Sequence, residues 1–418
     1  MYTLTAGGER RLLWLLMLTQ FTLILDFMIM MPLGPQIMHA FHITPAAFAA
    51  AVSAYSVCSG ISGLLAATYI DRFDRRKLML VVYALFALSN LACALANSYT
   101  LLLLSRAFAG LTGGVLGSII MAIVADVIPG PRRGAAMGTI MMAFSVASVI
   151  GVPVGVLMGA HILWSAPFVL LVVLSAVIWI SGAVVVPKLD QHLLQGVTPM
   201  SQVLPNLIRL LTDARHVNAF ILTFMTMVAS MMVIPFISPT LVANHGIAPD
   251  QISWLYMGGG LATLFTSRLI GRLSDQYGKH MVFRVIVALS LIPVLSITHL
   301  PKVSFVFMLL FFPVFMVLVS GRMVPMQALL TTVPAPAQRG AFLSVNSAVL
   351  SLGVGIGAWV GGAMLSMNAQ GQIAGYGTVG IVATVISLLA IVWVSRVRSL
   401  ETQAVVHAVS GERASQSA

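Results

Sequence analysis

The chain reads as an all-α polytopic membrane protein, with twelve transmembrane helices in two related six-helix bundles. Three observations predict this. Of its 418 residues, 59% are hydrophobic and 8% are charged, with a mean hydropathy of +1.01, whereas soluble domains carry about 25% charged residues. Apolar runs long enough to cross a bilayer recur from end to end. A charged turn also occurs twice, as Asp71-Arg72-Phe73-Asp74-Arg75-Arg76-Lys77 and as Gly271-Arg272-Leu273-Ser274-Asp275-Gln276-Tyr277-Gly278-Lys279-His280. Asp71 and Asp275 are 204 positions apart, close to half the chain, as expected of a membrane protein built from an internal repeat.

The spans follow in order. Residues 12–37 form the first; the run is too long for a signal-peptide core and no small-residue cleavage site follows, so it is expected to be retained. Spans two to six cover 45–70, 78–97, 101–126, 136–160 and 163–186. The connection at 187–217 is the longest and reads as a linker between halves; its segment Ser201–Leu211 is amphipathic and suits the membrane surface. Spans seven to twelve cover 218–243, 252–273, 281–299, 303–332, 340–367 and 373–395. The expected division is an N-terminal bundle at 1–186, a cytoplasmic linker at 187–217, a C-terminal bundle at 218–396 and a cytoplasmic tail at 397–418. None of these runs shows the period-two alternation of a membrane β-barrel.

Charge sets the orientation. The net charge of +11 sits in short turns between spans and in the tails, which argues against a nucleic-acid surface. Arg72, Arg75, Arg76, Lys77, Arg132, Arg133, Arg272, Lys279 and Arg339 all fall on the side of the termini; the opposite side has only Lys302. Basic loops stay in the cytoplasm, so both termini are expected there, in a multi-pass protein of a cell membrane. Cys58 and Cys93 both lie inside predicted spans, which excludes a disulfide scaffold and cysteine metal sites. No metal site is expected: His39 and His42 stand at i, i+3 near the outer end of span one, without acidic ligands beside them.

The repeat extends past the turns. Pro129-Gly130-Pro131-Arg132-Arg133-Gly134-Ala135 matches Pro334-Ala335-Pro336-Ala337-Gln338-Arg339-Gly340-Ala341 with one inserted residue. Span five carries Gly151, Gly155 and Gly159; span eleven carries Gly353, Gly357 and Gly361. Small residues at this spacing let helices approach closely, and their recurrence in both halves suggests an interface that must slide or rock. Thr19, Thr22 and Pro35 match Thr223, Thr226 and Pro239; in that alignment Asp26 falls opposite Ser230. The scaffold repeats there and the carboxylate does not.

On these residues the chain resembles the major facilitator superfamily. The family's turn signature is roughly G-x-x-x-D-R-x-G-R-[RK]; the first copy matches its aspartate and three arginines at Asp71, Arg72, Arg75 and Arg76, and departs at Ala67 and Asp74. The second copy keeps both glycines, Gly271 and Gly278, and Asp275. Arg106-Ala107-Phe108-Ala109-Gly110 is similar to the R-x-x-x-G pattern tied in the family to proton coupling, and Gly151-Val152-Pro153-Val154-Gly155 is similar to the glycine–proline motif of proton-driven exporters. Together they resemble the twelve-span drug–proton antiporter and sugar-efflux group. The resemblance also implies that a carboxylate at the end of span four, here Asp126, pairs with Arg75, so that Asp71, Arg72, Arg75, Asp126, Gly271 and Asp275 serve a conformational latch. The bland reading of these charges is that they only set topology.

Asp26 is the one mid-span acid. A carboxylate at the bilayer centre costs roughly 2.5–3.5 kcal/mol on insertion scales and marks function by default. It is either a proton-coupling group, with Arg106, or the static partner of a buried arginine. Arg322 is the deepest cation: it binds an anionic substrate group, pairs with Asp26 in one conformation, or snorkels. Gln20, Tyr55, Ser230, Gln327 and Asn346 are polar candidates for a substrate cavity, each equally readable as a helix–helix hydrogen-bonding residue. Gly151, Pro153, Gly155, Gly357 and Gly361 are assigned to helix packing. The chain shows no phosphate loop for ATP and no nucleophile–base constellation, so no enzyme is expected.

The expected function is proton-coupled export of amphiphilic small molecules such as drugs, sugar derivatives or metabolites, by alternating access. The alternative is proton-coupled uptake of a small organic anion. No cofactor beyond the coupling proton is expected, and the partners are the lipid bilayer and a small-molecule substrate, with the protein working as a monomer.

Overall fold

A computed structural model describes residues 5–129, 132–190, 208–335 and 338–398, with Leu193 and Pro205. Most of the expected interfacial segment Ser201–Leu211, and most of the linker around it, lies outside the described residues.

Twelve long helices cross the molecule. They are α1 (Ala6–Ile29), α2 (Pro45–Tyr69), α3 (Arg75–Ala94), α4 (Tyr99–Val127), α5 (Arg133–His161), α6 (Ala166–Val185), α7 (Ala214–His245), α8 (Gln251–Tyr277), α9 (Lys279–His299), α10 (Phe305–Leu330), α11 (Arg339–Ala363) and α12 (Tyr376–Trp393). Eleven are apolar enough by composition alone to span a bilayer; α8 is the exception, because Ser267, Arg268, Arg272 and Asp275 interrupt it. Its place follows from the repeat instead. A two-residue hairpin pairs Ser366–Met367 with Ile373–Ala374 between α11 and α12.

Capping and proline placement set the helix ends. Thr44 caps α2 by accepting from Ala47 N, with Pro45 in the first turn, where its missing N–H costs nothing. Asp74, which departs from the family's turn signature, caps α3 by accepting from Arg76 N at 2.8 Å. Its counterpart Gly278 has φ +88°, a conformation that suits glycine. The two copies of the turn are thus built differently, one by a capping carboxylate and one by a glycine backbone.

Several spans expected to be continuous are broken, each beside a proline. The first stops at Ile29; a turn through Pro32 leads to a separate helix, Gly34–Phe41, with Pro35 in its first turn. In α7 a 3-10 segment, Ile234–Phe236, contains Pro235. In α10 the break is at Arg322, where Pro325 has no N–H to give the Gly321 carbonyl. In α5 the residues Ala147–Gly151 form a π-helical bulge immediately before Pro153.

The glycine ladders lie inside each half. Gly151, Gly155 and Gly159 receive Leu25, Ile29 and Leu33 from α1 and the turn after it. Gly353 and Gly357 face the α7 backbone, where an added Cβ would stand 2.7 Å from the Val228 carbonyl oxygen, and Gly361 faces Met232. Both ladders thus bring helices of one half together, α5 with α1 and α11 with α7. Contact between halves falls to other residues: Gly60 of α2 sits against the Ala348 carbonyl of α11, Gly362 against Ala49, and Gly260 of α8 against the Ser148 carbonyl of α5. Farther from the termini, Gly34 touches Pro239. The stretch of α5 nearest the termini, Arg133–Val146, packs on α1 rather than on α8. The halves therefore join along α2 and α11, and part along α5 and α8 towards the termini.

Burial follows position. In α7 72% of the span is buried, as a central helix requires; in α6 only 28% is, leaving an apolar face for lipid.

Candidate functional site

Asp26 and Arg106 meet in the interior of the first half. Asp26 stands on α1 just before its break, and Arg106 reaches it from α4: Nη1 donates to Oδ1 at 2.5 Å and Nη2 to the Asp26 backbone carbonyl at 3.3 Å. Both side chains are buried, at 0% and 1% exposure, so the pair is sealed from solvent. The guanidinium also lies over the Tyr55 ring at 4.6 Å and near Phe168 at 5.8 Å; such contacts contribute about 1–2 kcal/mol when desolvated. Tyr55 in turn stacks on Phe27 and directs its hydroxyl to the Leu23 carbonyl at 3.4 Å. Asp26 Oδ2 and Arg106 Nε have no hydrogen-bond partner among the described residues.

The R-x-x-x-G spacing has a mechanical explanation here. Gly110 lies one turn from Arg106, and a Cβ on it would collide with the Tyr55 carbonyl. Only glycine lets α4 approach the α2 backbone closely enough for the Tyr55 ring to cover Arg106.

The second half carries the counterpart of this site. Arg322, at the break in α10, donates through Nη2 to Ser230 on α7. Ser230 gives its own proton to the Thr226 carbonyl at 2.7 Å. Arg322 is 2% exposed, Nε has no partner, and no carboxylate pairs with it among the described residues. In this conformation it does not pair with Asp26, whose carboxylate is held by Arg106. Sequence alignment of the halves already set Ser230 opposite Asp26; what it did not reveal was that Arg322 would stand to Ser230 as Arg106 stands to Asp26.

The other cavity candidates disperse. Asn346 is buried and accepts from Thr223 at 2.7 Å, tying α11 to α7. Gln20 has a buried, unpartnered Oε1, and Gln327 is half-buried on α10. Asn346 is thus a packing residue in this conformation, while Gln20 retains an unmet hydrogen-bonding need.

The charged turn assembles as a three-residue network. Arg75, buried although formally charged, donates from Nη2 to Asp71 at 2.5 Å, from Nε to Asp126 at 3.1 Å and from Nη1 to the Ile70 carbonyl at 2.6 Å. All three partners belong to the first half, and Arg72 stands exposed beside them. In the second half Gly271 is half-buried and Asp275 exposed, with no ion pair to Asp275 among the described residues. Among the described residues no group of three His, Cys, Asp or Glu side chains could hold a metal, and the His39 and His42 rings stand 6.1 Å apart.

Twelve helices in two repeated sets, with charged groups buried between them, define a membrane transporter of the secondary type. The sequence pattern of the Major Facilitator Superfamily matches residues 16–215 and 219–413, and the chain belongs to that family. An uncharacterized MFS-type transporter, YtbD of Bacillus subtilis, is 23% identical over 225 residues, a match that spans about half of each chain (54% and 55%). A probable sugar efflux transporter of Mannheimia succiniciproducens is 24% identical over 324 residues, 77% of each chain. Among solved structures, a D-xylose-proton symporter superposes with a TM-score of 0.74 at 15% identity, covering 92% of this chain and 97% of that one. At that identity the likeness establishes the fold.

Proposed function

We propose that this protein is a proton-coupled exporter of amphiphilic small molecules, exchanging substrate for protons across a bacterial inner membrane with both termini in the cytoplasm. The observation that carries the reading is the sealed Asp26–Arg106 pair, whose second carboxylate oxygen has no partner among the described residues. A buried acid held by one arginine through one oxygen is a group that can be discharged by a proton. Protonation of Asp26 removes the attraction that holds α1 to α4 at that point, and Arg106 keeps its backbone carbonyl and its aromatic faces while the pair is open. One charge moving through 100 mV supplies about 2.3 kcal/mol for the cycle.

Export is favoured over uptake by two features: the glycine–proline segment of α5, realised as a π-bulge packed on α1, and the similarity to a probable sugar efflux transporter. The basic turns on the termini side favour the stated orientation. The Arg75 network then lies at the cytoplasmic end, where it latches the first half in one state and releases as the halves rock.

The test is pH-gradient-driven efflux in cells and in everted vesicles. Wild-type protein should accumulate substrate inside everted vesicles, and Asp26→Asn should abolish the dependence on the gradient. Gradient-driven transport that survives Asp26→Asn would exclude Asp26 as the coupling group; accumulation only in right-side-out vesicles would reverse the direction and favour uptake.

A further inference from the structure

We propose that the substrate presents a carboxylate, and that Arg322 with Ser230 receives it. This rests on the reading of the protein as a substrate-binding transporter, and not on proton coupling.

Each half buries an arginine against the aligned position of its first helix, Asp26 on α1 and Ser230 on α7. In the first half the guanidinium from α4 meets a carboxylate on α1; in the second the guanidinium from α10 meets a hydroxyl on α7 at the aligned position. Arg322 is as buried as Arg106, yet among the described residues the side-chain oxygen it donates to is neutral and already spends its proton on the Thr226 carbonyl. A buried guanidinium without a counter-charge is costly, and proteins rarely retain one unless something supplies the charge. Among the described residues nothing does. The missing group equals the difference between serine and aspartate, one carboxylate.

Local structure points the same way. Arg322 sits where α10 is interrupted, between Gly321 and Pro325, at a place where the helix has surrendered backbone bonding. Gly321 is pressed against Ile270 of α8, so the interruption is held by packing against a neighbouring helix. Interrupted helices facing a polar centre are where transporters of this architecture bind polar substrate groups. A singly charged carboxylate matches a single guanidinium in both charge and fork geometry; a dianionic phosphate would leave one negative charge buried. The substrate's carboxylate would thus do in the second half what Asp26 does in the first, and Ser230 is the residue that keeps the place open.

The experiment measures thermal unfolding of the purified full chain in detergent against benzoate, 4-phenylbutyrate and gluconate, each beside its neutral amide. Wild type should be stabilised by at least one carboxylate and not by the matching amide. Ser230→Asp should unfold at a higher temperature than wild type without ligand, and should bind the carboxylate at least about tenfold more weakly, since its own side chain fills the site. Arg322→Gln should lose the binding by a similar factor; should that variant fail to fold, Ser230→Asp alone decides. Carboxylates indistinguishable from their amides, tighter binding of inorganic phosphate, or undiminished binding by Ser230→Asp each overturn the assignment. Asp26→Asn should retain carboxylate binding, so failure of the proton-coupling reading leaves this result standing, and the reverse.

Discussion

The Asp26–Arg106 pair makes a quantitative prediction that separates a working ion pair from a static one. Both groups are buried, joined at 2.5 Å, and remote from other charge. Removing one partner of such a pair typically costs about 3–5 kcal/mol, because the other charge is left buried, whereas replacing both by neutral groups is often near neutral. The surroundings here refine that figure. Without Asp26, Arg106 keeps the Asp26 backbone carbonyl at 3.3 Å and the Tyr55 ring at 4.6 Å, a cation–π contact contributing about 1–2 kcal/mol when desolvated. Without Arg106, the carboxylate keeps nothing, since Oδ2 already lacks a partner, but it can escape the penalty by taking a proton.

Asp26→Asn should therefore destabilise by about 3 kcal/mol, at the lower end of that range. Arg106→Gln should cost less as pH falls, because the orphaned acid is then protonated. The double variant should recover most of the loss, giving a coupling energy of about 2 kcal/mol or more in a double-mutant cycle. The assay is thermal or denaturant unfolding in detergent at two pH values, paired with gradient-driven efflux. A coupling energy below about 0.5 kcal/mol, or an Arg106→Gln penalty that does not move with pH, would refute the argument that the pair is held by charge and opened by a proton.

Three further predictions follow from the surrounding structure. Arg75→Gln orphans the Asp71 and Asp126 contacts and the Ile70 carbonyl, and should destabilise by about 2–3 kcal/mol; Asp126→Asn leaves two of the three bonds and should cost about 1 kcal/mol, both read by unfolding and by transport rate. Gly110→Val drives a side chain into the Tyr55 carbonyl and should destabilise by about 1–3 kcal/mol with loss of transport, while Gly117→Ala, whose added Cβ meets nothing within 4 Å, should be silent. At the two turns, Asp74→Ala removes a cap and should cost about 1 kcal/mol, Asp74→Gly only a few tenths, and Gly278→Ala should cost about 1–3 kcal/mol from its φ of +88°; equal costs for Asp74→Ala and Asp74→Gly would contradict the capping account.

The fold was legible because bilayer length and the repeat constrain it independently. Hydropathy alone misses α8, with Arg268 and Arg272 inside it, and the duplicated turn at Asp275 recovers it. The breaks were not legible as breaks. Pro32, Pro153, Pro235 and Pro325 are visible signals, but in a membrane a proline is tolerated often enough that its presence does not fix an interruption. The partner of Asp26 was legible through the R-x-x-x-G spacing, whereas the partner of Arg322 required knowing that α10 faces α7 as α4 faces α1. The glycine ladders were legible as places of close approach, but the approaching helix was not, since four-residue spacing carries no identity of the partner.

The differences between the halves then acquire a common direction. Where the two copies share a task, they share residues: Thr19 and Thr223, Thr22 and Thr226, Pro35 and Pro239, and the glycines of α5 and α11. Where they differ, one half supplies internally what the other leaves to be supplied. The first half holds its arginine with Asp26 and its turn with Asp71, Asp74 and Asp126. The second holds its arginine with a hydroxyl and its turn with glycine, and the Asp275 it keeps there is exposed, with no ion pair among the described residues. Packing symmetry cannot select that pattern, because both halves bury their inner helices against the same kind of apolar neighbours. A division of labour can: a self-compensated half that changes charge with a proton, set against a half whose charge is completed from outside.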